Sequence, residues 1–322
     1  MQVFLITLLE CSVVMSVISL IYVATAPFLL KRYTANGLYY AWLVVIIGWI
    51  FPFRPQFNTM SLPVKMPIIQ TIAAEYINVE SLTIFGNGTS TTTPISLWSV
   101  IVGVWIAGVL GTMVYHAWRH WKFVKMVSRW GEDVTNFEIL GTLDALRAEM
   151  KIRKYVDIKV CPGIRSPMLI GLFRPIVLLP SIETPYDELI FILRHELVHL
   201  KRKDLWYKTL ILLATVIHWF NPVVYIVAKV IMVQCEISCD ELLLQGASFE
   251  QRKQYGETII GAVRNGAQSQ TALSTNFYGG KKGMKTRIFS IMDTKKKKIG
   301  TTIFCYFYSN NWNRSGICHK SP

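Results

Sequence analysis

Apolar residues along this chain fall into long runs first and short ones later. Residues 3–30 are nearly continuous apolar sequence, broken by Glu10 and small polar residues and stopped by Lys31 and Arg32. A second run covers residues 37–53 (GLYYAWLVVIIGWIFPF) and a third residues 95–118 (ISLWSVIVGVWIAGVLGTMVYHAW). Each predicts a helix long enough to cross about 30 Å of hydrocarbon, with Trp and Tyr near the ends where interfacial rings belong. The N-terminal run has no basic leader and no small-residue cleavage site, so it reads as a retained helix.

Beyond residue 118 the pattern shortens. FEILGTLDALRAEM (137–150) has the spacing of an amphipathic helix, and VDIKVCP, PMLIGL and PIVLLP are short β-rich runs bounded by Pro and Gly. ETPYDELIFILRHELVHLKRKD then predicts a helix, with Thr184 as a cap, Pro185 at the first position, and Asp187 and Glu188 at the positive end. A further apolar stretch, 209–232, is divided by Asn221-Pro222. Its halves of about a dozen residues are each too short to cross a bilayer. These boundaries divide the chain into 1–118 (three membrane helices and an external loop near 54–94), 119–298 (a cytoplasmic α/β module) and 299–322 (IGTTIFCYFY from 299, then a polar tail).

Composition agrees with a membrane protein: 52% hydrophobic and 17% charged among 322 residues, against about 25% charged in soluble domains. The net charge of +14 reads as basic loops facing the cytoplasm; direct nucleic-acid binding is not expected, because none of its sequence patterns is present. Lys31 and Arg32 after the first run, and Arg119, Lys122, Lys125 and Arg129 after the third, put those ends inside, with residues 54–94 outside. The NGTSTTT stretch, with its Asn87 sequon, reads as an exposed polar loop. Six scattered cysteines (11, 161, 235, 239, 305, 318) without a CxxC suit buried thiols in a reducing compartment.

The candidate chemistry sits in RHELVHLKRKD, Arg194 to Asp204. On a helix His195 and His199 project from one face and can reach one ion at about 2 Å. Glu196 lies beside them, placed to take a proton from water and return it to a leaving amine. A third ligand is needed, and the candidate is Glu236 in CEISCDELLL, on a second amphipathic helix, with Asp240 one turn on as a hydrogen-bonding support. Cys235 and Cys239 share the same spacing and stand as rival ligands. If Glu236 is the ligand, the stretch 209–232 must be a hairpin returning to the side it left. His116 and His120 sit among Trp and Arg and suit an interfacial belt, His218 a turn, and His319 falls in the tail.

SPMLIGLFRPIVLLP, RHELVHLKRKD, HWFNP, EISCDELLL and MKTRI occur in this order behind three apolar spans. The series resembles the BlaR/MecR family of bacterial membrane metallopeptidases, the β-lactam-sensing antirepressors, over most of residues 1–298. The resemblance implies a mainly α, multi-pass protein of the plasma membrane carrying a cytoplasmic α/β gluzincin domain. It implies one Zn2+ held by His195, His199 and Glu236, with Glu196 as catalytic base and Asp240 in support. It further implies an endopeptidase that cleaves itself or triggers inactivation of a cytoplasmic repressor of resistance genes, in contact with lipid and with a homodimer left open. TRIFSIM is a candidate for the self-cleaved segment. The family's sensors continue into an external penicillin-binding-like domain with a Ser-x-x-Lys nucleophile; that pattern does not occur here, and the expectation is a member lacking the sensor. A general membrane-processing protease, or a regulator that has lost its sensor, is the alternative.

Overall fold

A computed structural model describes residues 2–51 and 97–298, apart from 165, 183, 267–279 and 296. The expected loop 54–94 and the tail 299–322, with Cys305, Cys318 and His319, lie outside the described residues. Helices dominate. α1 (Gln2–Arg32) and α2 (Ala35–Ile50) are followed by α3 (Leu97–Trp130). Then come β1 (Glu132–Asp133), α4 (Phe137–Glu149), β2 (Asp157–Val160), β3 (Met168–Ile170) and β4 (Ile176–Leu179). Next are α5 (Tyr186–Arg202), α6 (Asp204–Ile217), α7 (Pro222–Leu243), α8 (Phe249–Gly266) and α9 (Gly280–Met292).

Three described helices, α1, α3 and α7, are long and apolar enough to cross a membrane. α2 has 16 residues, or about 24 Å, and is shorter than the run 37–53 suggests because Phe51 turns extended. α3 does the reverse and continues twelve residues past Trp118. Nothing in 119–130 breaks a helix, and Lys122 and Lys125 stack on Trp118 and Trp121 one turn back, 4.8 and 4.9 Å from the ring centroids. Residues of α1 and α3 such as Val13, Val17, Val104 and Val114 are exposed, as an apolar solvent requires. Tyr39, Trp42, Ile46 and Trp49 of α2 are fully packed against α6 and α7.

α6 and α7 form an antiparallel hairpin, with Asn221 capping α7 by accepting from the Val223 amide. At its tip Asn221 Nδ2 donates to Ser12 and Ser16 of α1 at 2.7 and 2.8 Å. His218 meets the Trp49 carbonyl of α2 at 2.8 Å. Trp219 lies so close to α3 that a Cβ on Gly108 would fall 2.1 Å from its ring. The halves are longer than the sequence suggests, because α6 starts at Asp204 and α7 runs unbroken through the apolar half and EISCDELL. Glu236 and Asp240 therefore stand on the hairpin itself, not on a separate amphipathic helix.

The four strands make one sheet in the order β1-β2-β4-β3, parallel between β2 and β4 and antiparallel elsewhere. Gly171 (φ +86) turns the chain from β3 to β4, where a Cβ would strike the Arg174 carbonyl at 2.0 Å. Alternation along β4 divides the two faces: Val177 and Leu179 pack on α4 and α5, while Leu178 joins Val127 of α3. Asn136 caps α4 as its side chain accepts from the Glu138 and Ile139 amides. α5 begins at Tyr186 with Pro185 as the extended capping residue (ψ 142), one position later than expected and without a side-chain cap from Thr184. Asp187 and Glu188 still occupy its first turn and favour the positive end.

Candidate metal centre

α5 is two-faced. Leu189, Leu193 and Leu197, each one turn apart, are buried against the sheet. Two residues of α-helix rotate the side chain by about 200°, so His195 and His199 point the other way, at α7. Both are buried. The helix ends at Lys203 in the left-handed region (φ 60, ψ 37), a conformation that costs a non-glycine residue about 1 kcal/mol or more. That turn starts α6 at once and brings Asp204 back beneath His199.

The two imidazoles are oriented by mirrored arrangements. His199 Nδ1 faces Asp204 Oδ2 at 2.7 Å. His195 Nδ1 faces the Tyr255 hydroxyl at 2.8 Å, which in turn donates to Asp240. Asp240 and Asp204 each accept at the far end, so in both rings Nδ1 carries the donated proton and Nε2 is the nitrogen left facing Glu236. The two Nε2 atoms lie 3.1 Å apart. Glu236, reaching across from α7, places Oε2 3.3 Å from His195 Nε2 and Oε1 3.6 Å from His199 Nε2. Three corners of a tetrahedron with bonds of 2.0–2.1 Å are about 3.3 Å apart, so these donors fit one small divalent ion.

Two other donor groups, His195–His199–Cys239 and His199–Asp204–Cys235, are also compact enough to hold an ion. The Cys239 thiol approaches His195 at Nδ1, 3.6 Å away, where Tyr255 already bonds. Cys235 donates to Asp204 at 3.3 Å. An ion bound by either thiol would have to break the hydrogen bonds that orient the imidazoles, so the Nε2 side, with Glu236, is the better fit.

Arg287 of α9 closes the site. Its guanidinium makes a two-pronged pair with Asp240, with Nη2 at 2.9 Å from Oδ1, and stands 3.3 Å from Glu236 Oε2. Glu196, Ile192, Pro167, Thr258 and Ile259 line a cleft that opens onto His195 and Arg287. Burial opposes the charged forms here, and the neighbours outweigh it. Cys239, Asp240 and Glu236 hold His195, and Cys239, Glu236 and Asp204 hold His199, well above the ordinary histidine value. Burial would likewise raise the Asp204 carboxyl, but His199 and Arg202 bring it below the usual range.

A family described as BlaR1 peptidase M56 matches residues 6–291. The chain belongs to the BlaR1 peptidase M56 family. Among its relatives, Regulatory protein BlaR1 of Bacillus licheniformis is 29% identical over 198 residues, 61% of this chain and 33% of that protein. Methicillin resistance mecR1 protein of Staphylococcus aureus is 24% identical over 269 residues, 78% of this chain and 45% of its own length. Regulatory protein BlaR1 of Staphylococcus aureus is 24% identical over 305 residues, 87% and 50% of the two chains. The chain thus spans a third to a half of the length of these relatives.

The structure brings together His195, Glu196, His199, Glu236 and Asp240. His116 and His120 remain on α3, and His218 sits at the hairpin tip. Sequence reasoning missed Asp204, Tyr255 and Arg287 as members of the site. Asp204 closes the quoted motif segment and Arg287 lies in MKTRI; Tyr255 carries no local signal.

Proposed function

We propose that this chain is a membrane-embedded zinc metallopeptidase of the gluzincin type, with His195, His199 and Glu236 holding one Zn2+ and Glu196 as catalytic base. The observation that carries this reading is the two Nε2 atoms, 3.1 Å apart, each facing one oxygen of Glu236 at 3.3 and 3.6 Å, beside a carboxylate in an open cleft. Membership of a peptidase family supports it. Zinc bound there supplies Lewis acidity. Glu196 takes the proton of the attacking water and hands it to the leaving amine. β3 pairs with β4 on one side, and Pro167, just before β3, lines the cleft. An extended substrate adding to the free edge of β3 would run past Glu196.

In this reading α1, α2 and α3 span the bacterial plasma membrane, the hairpin α6–α7 packs among them from the cytoplasmic side, and the sheet and α4, α5, α8 and α9 are cytoplasmic. The protein transduces a signal by cleaving itself or by triggering inactivation of a cytoplasmic repressor of β-lactam resistance genes. The regulatory and methicillin-resistance names of its relatives support that assignment. The test uses the full chain in lipid nanodiscs, with bound zinc and self-cleavage measured by mass spectrometry beside Glu196→Gln. The variant keeps its zinc and loses about 10²–10⁴ of the cleavage rate. Equal cleavage in both sinks the role of Glu196, and a zinc-free wild type sinks the metal reading.

A further inference from the structure

We propose that Tyr39, on membrane helix α2, is a positioning residue of the metal centre: its hydroxyl fixes Asp204, and Asp204 fixes the ring of His199. The inference rests on the zinc reading above and adds a membrane helix to the machinery of the site. The Tyr39 hydroxyl donates to Asp204 Oδ1 at 2.9 Å, while Oδ2 of the same carboxylate faces His199 Nδ1 at 2.7 Å. Tyr39 and Asp204 are 2% and 1% exposed, so both groups are shut off from bulk water. Phenylalanine would fill the same space. A buried hydroxyl costs stability unless it is paired, and here it is spent on the carboxylate behind a ligand histidine. Partners of this kind, once removed, lower metal affinity by about 10–100-fold.

The ring itself is held by two neighbours. Arg202 lies 4.2 Å from its centroid and Tyr207 packs on it at 4.6 Å. Arg202 Nε also faces Asp204 Oδ1 at 3.3 Å, so the tyrosine and the arginine converge on one oxygen. The start of α2 is bolted to α7, the helix of Glu236. Gln234 donates to the Ala35 carbonyl at 3.1 Å, the Asn36 amide donates to Glu241 at 3.1 Å, and Ser238 donates to Asn36 at 3.2 Å. From behind, Lys298 accepts from the Thr34 amide at 3.0 Å. Tyr39 therefore moves only when α2 moves against the hairpin, and such a shift reaches His199 through two hydrogen bonds.

The experiment measures the zinc dissociation constant of the full chain in nanodiscs by chelator competition, for wild type, Tyr39→Phe, Tyr22→Phe and His199→Ala. Tyr22 is the control, since its hydroxyl donates to the Leu38 carbonyl of α2 at 3.1 Å, whereas that of Tyr39 donates to Asp204 itself. Tyr39→Phe weakens zinc binding about tenfold, and Tyr22→Phe leaves it unchanged. In an Asp204→Ala background the further change Tyr39→Phe has no effect. Wild-type affinity in Tyr39→Phe overturns the proposal, as do equal losses in both tyrosine variants, additive losses in the double variant, or a Tyr39→Phe chain that does not fold. If His199→Ala binds zinc like wild type, or wild type binds none, the zinc reading falls and this inference falls with it. Tight wild-type binding with an unaffected Tyr39→Phe removes this inference alone.

Discussion

Both ends of the α6–α7 hairpin bury polar groups, and they do so by opposite means. At the tip, Asn221, Ser12, Ser16, Ser19, Trp49 and His218 form short neutral hydrogen bonds between the hairpin, α1 and α2. His218 must donate from Nε2 to reach the Trp49 carbonyl, and its Nδ1 is the one side-chain atom there left unpaired among the described residues. At the open end, three carboxylates, two imidazoles and two guanidiniums crowd within ion-pair distance. Neutral pairs are what a hairpin tip in an apolar surrounding needs, since each unsatisfied group there costs several kcal/mol. The charged end is far more than packing requires. The difference separates a polar cluster that holds helices together from one arranged for chemistry.

The contrast breaks first at Asp240. Asp240→Leu removes the two-pronged partner of the buried Arg287 and leaves Glu236 as its counter-charge, and should cost up to about 3–5 kcal/mol in denaturant titrations of the nanodisc-reconstituted chain. A loss below about 1 kcal/mol would show that the charged end tolerates unpairing as the tip does. The pH dependence sharpens it next. Because His195 and His199 are held well above the ordinary histidine value without metal, their contribution to metal-free stability is complete below about pH 6.5. It is lost as pH rises through the raised values. Zinc has to displace those protons, so its apparent affinity should climb about tenfold per pH unit per proton released between pH 6 and 8. A flat profile by chelator competition would count against these ligands. Asn221→Ala, the smallest effect, should cost about 1 kcal/mol of stability, as hydrogen bonds between membrane helices do. Zinc affinity should stay unchanged in that variant. A zinc defect there would mean that the tip and the site are coupled.

The helices were legible because their causes are local. Uninterrupted apolar runs and Asn221-Pro222 as a break can each be read without knowing the partner. The ends were less legible. α3 runs past Trp118 because its basic residues stack back on its own tryptophans, and α7 continues as one helix because nothing in 232–236 stops it. Strand β1, two residues long, exists only because β2 offers an edge.

For the site, His195, Glu196 and His199 could be read together because one helical turn is enough to place them on one face. Glu236 could be proposed only by supposing a hairpin. Which of the two acceptors orients which ring, and that Tyr39, Tyr255 and Arg287 take part, depended on side chains 5 to 165 residues apart meeting in space. Periodicity and the spacing within one helix are short-range physics and can be read from the residues alone. The left-handed turn at Lys203, the return of α7 and the burial of charge between three elements are long-range. They are set by packing, because a buried carboxylate takes its role from the donors that surround it.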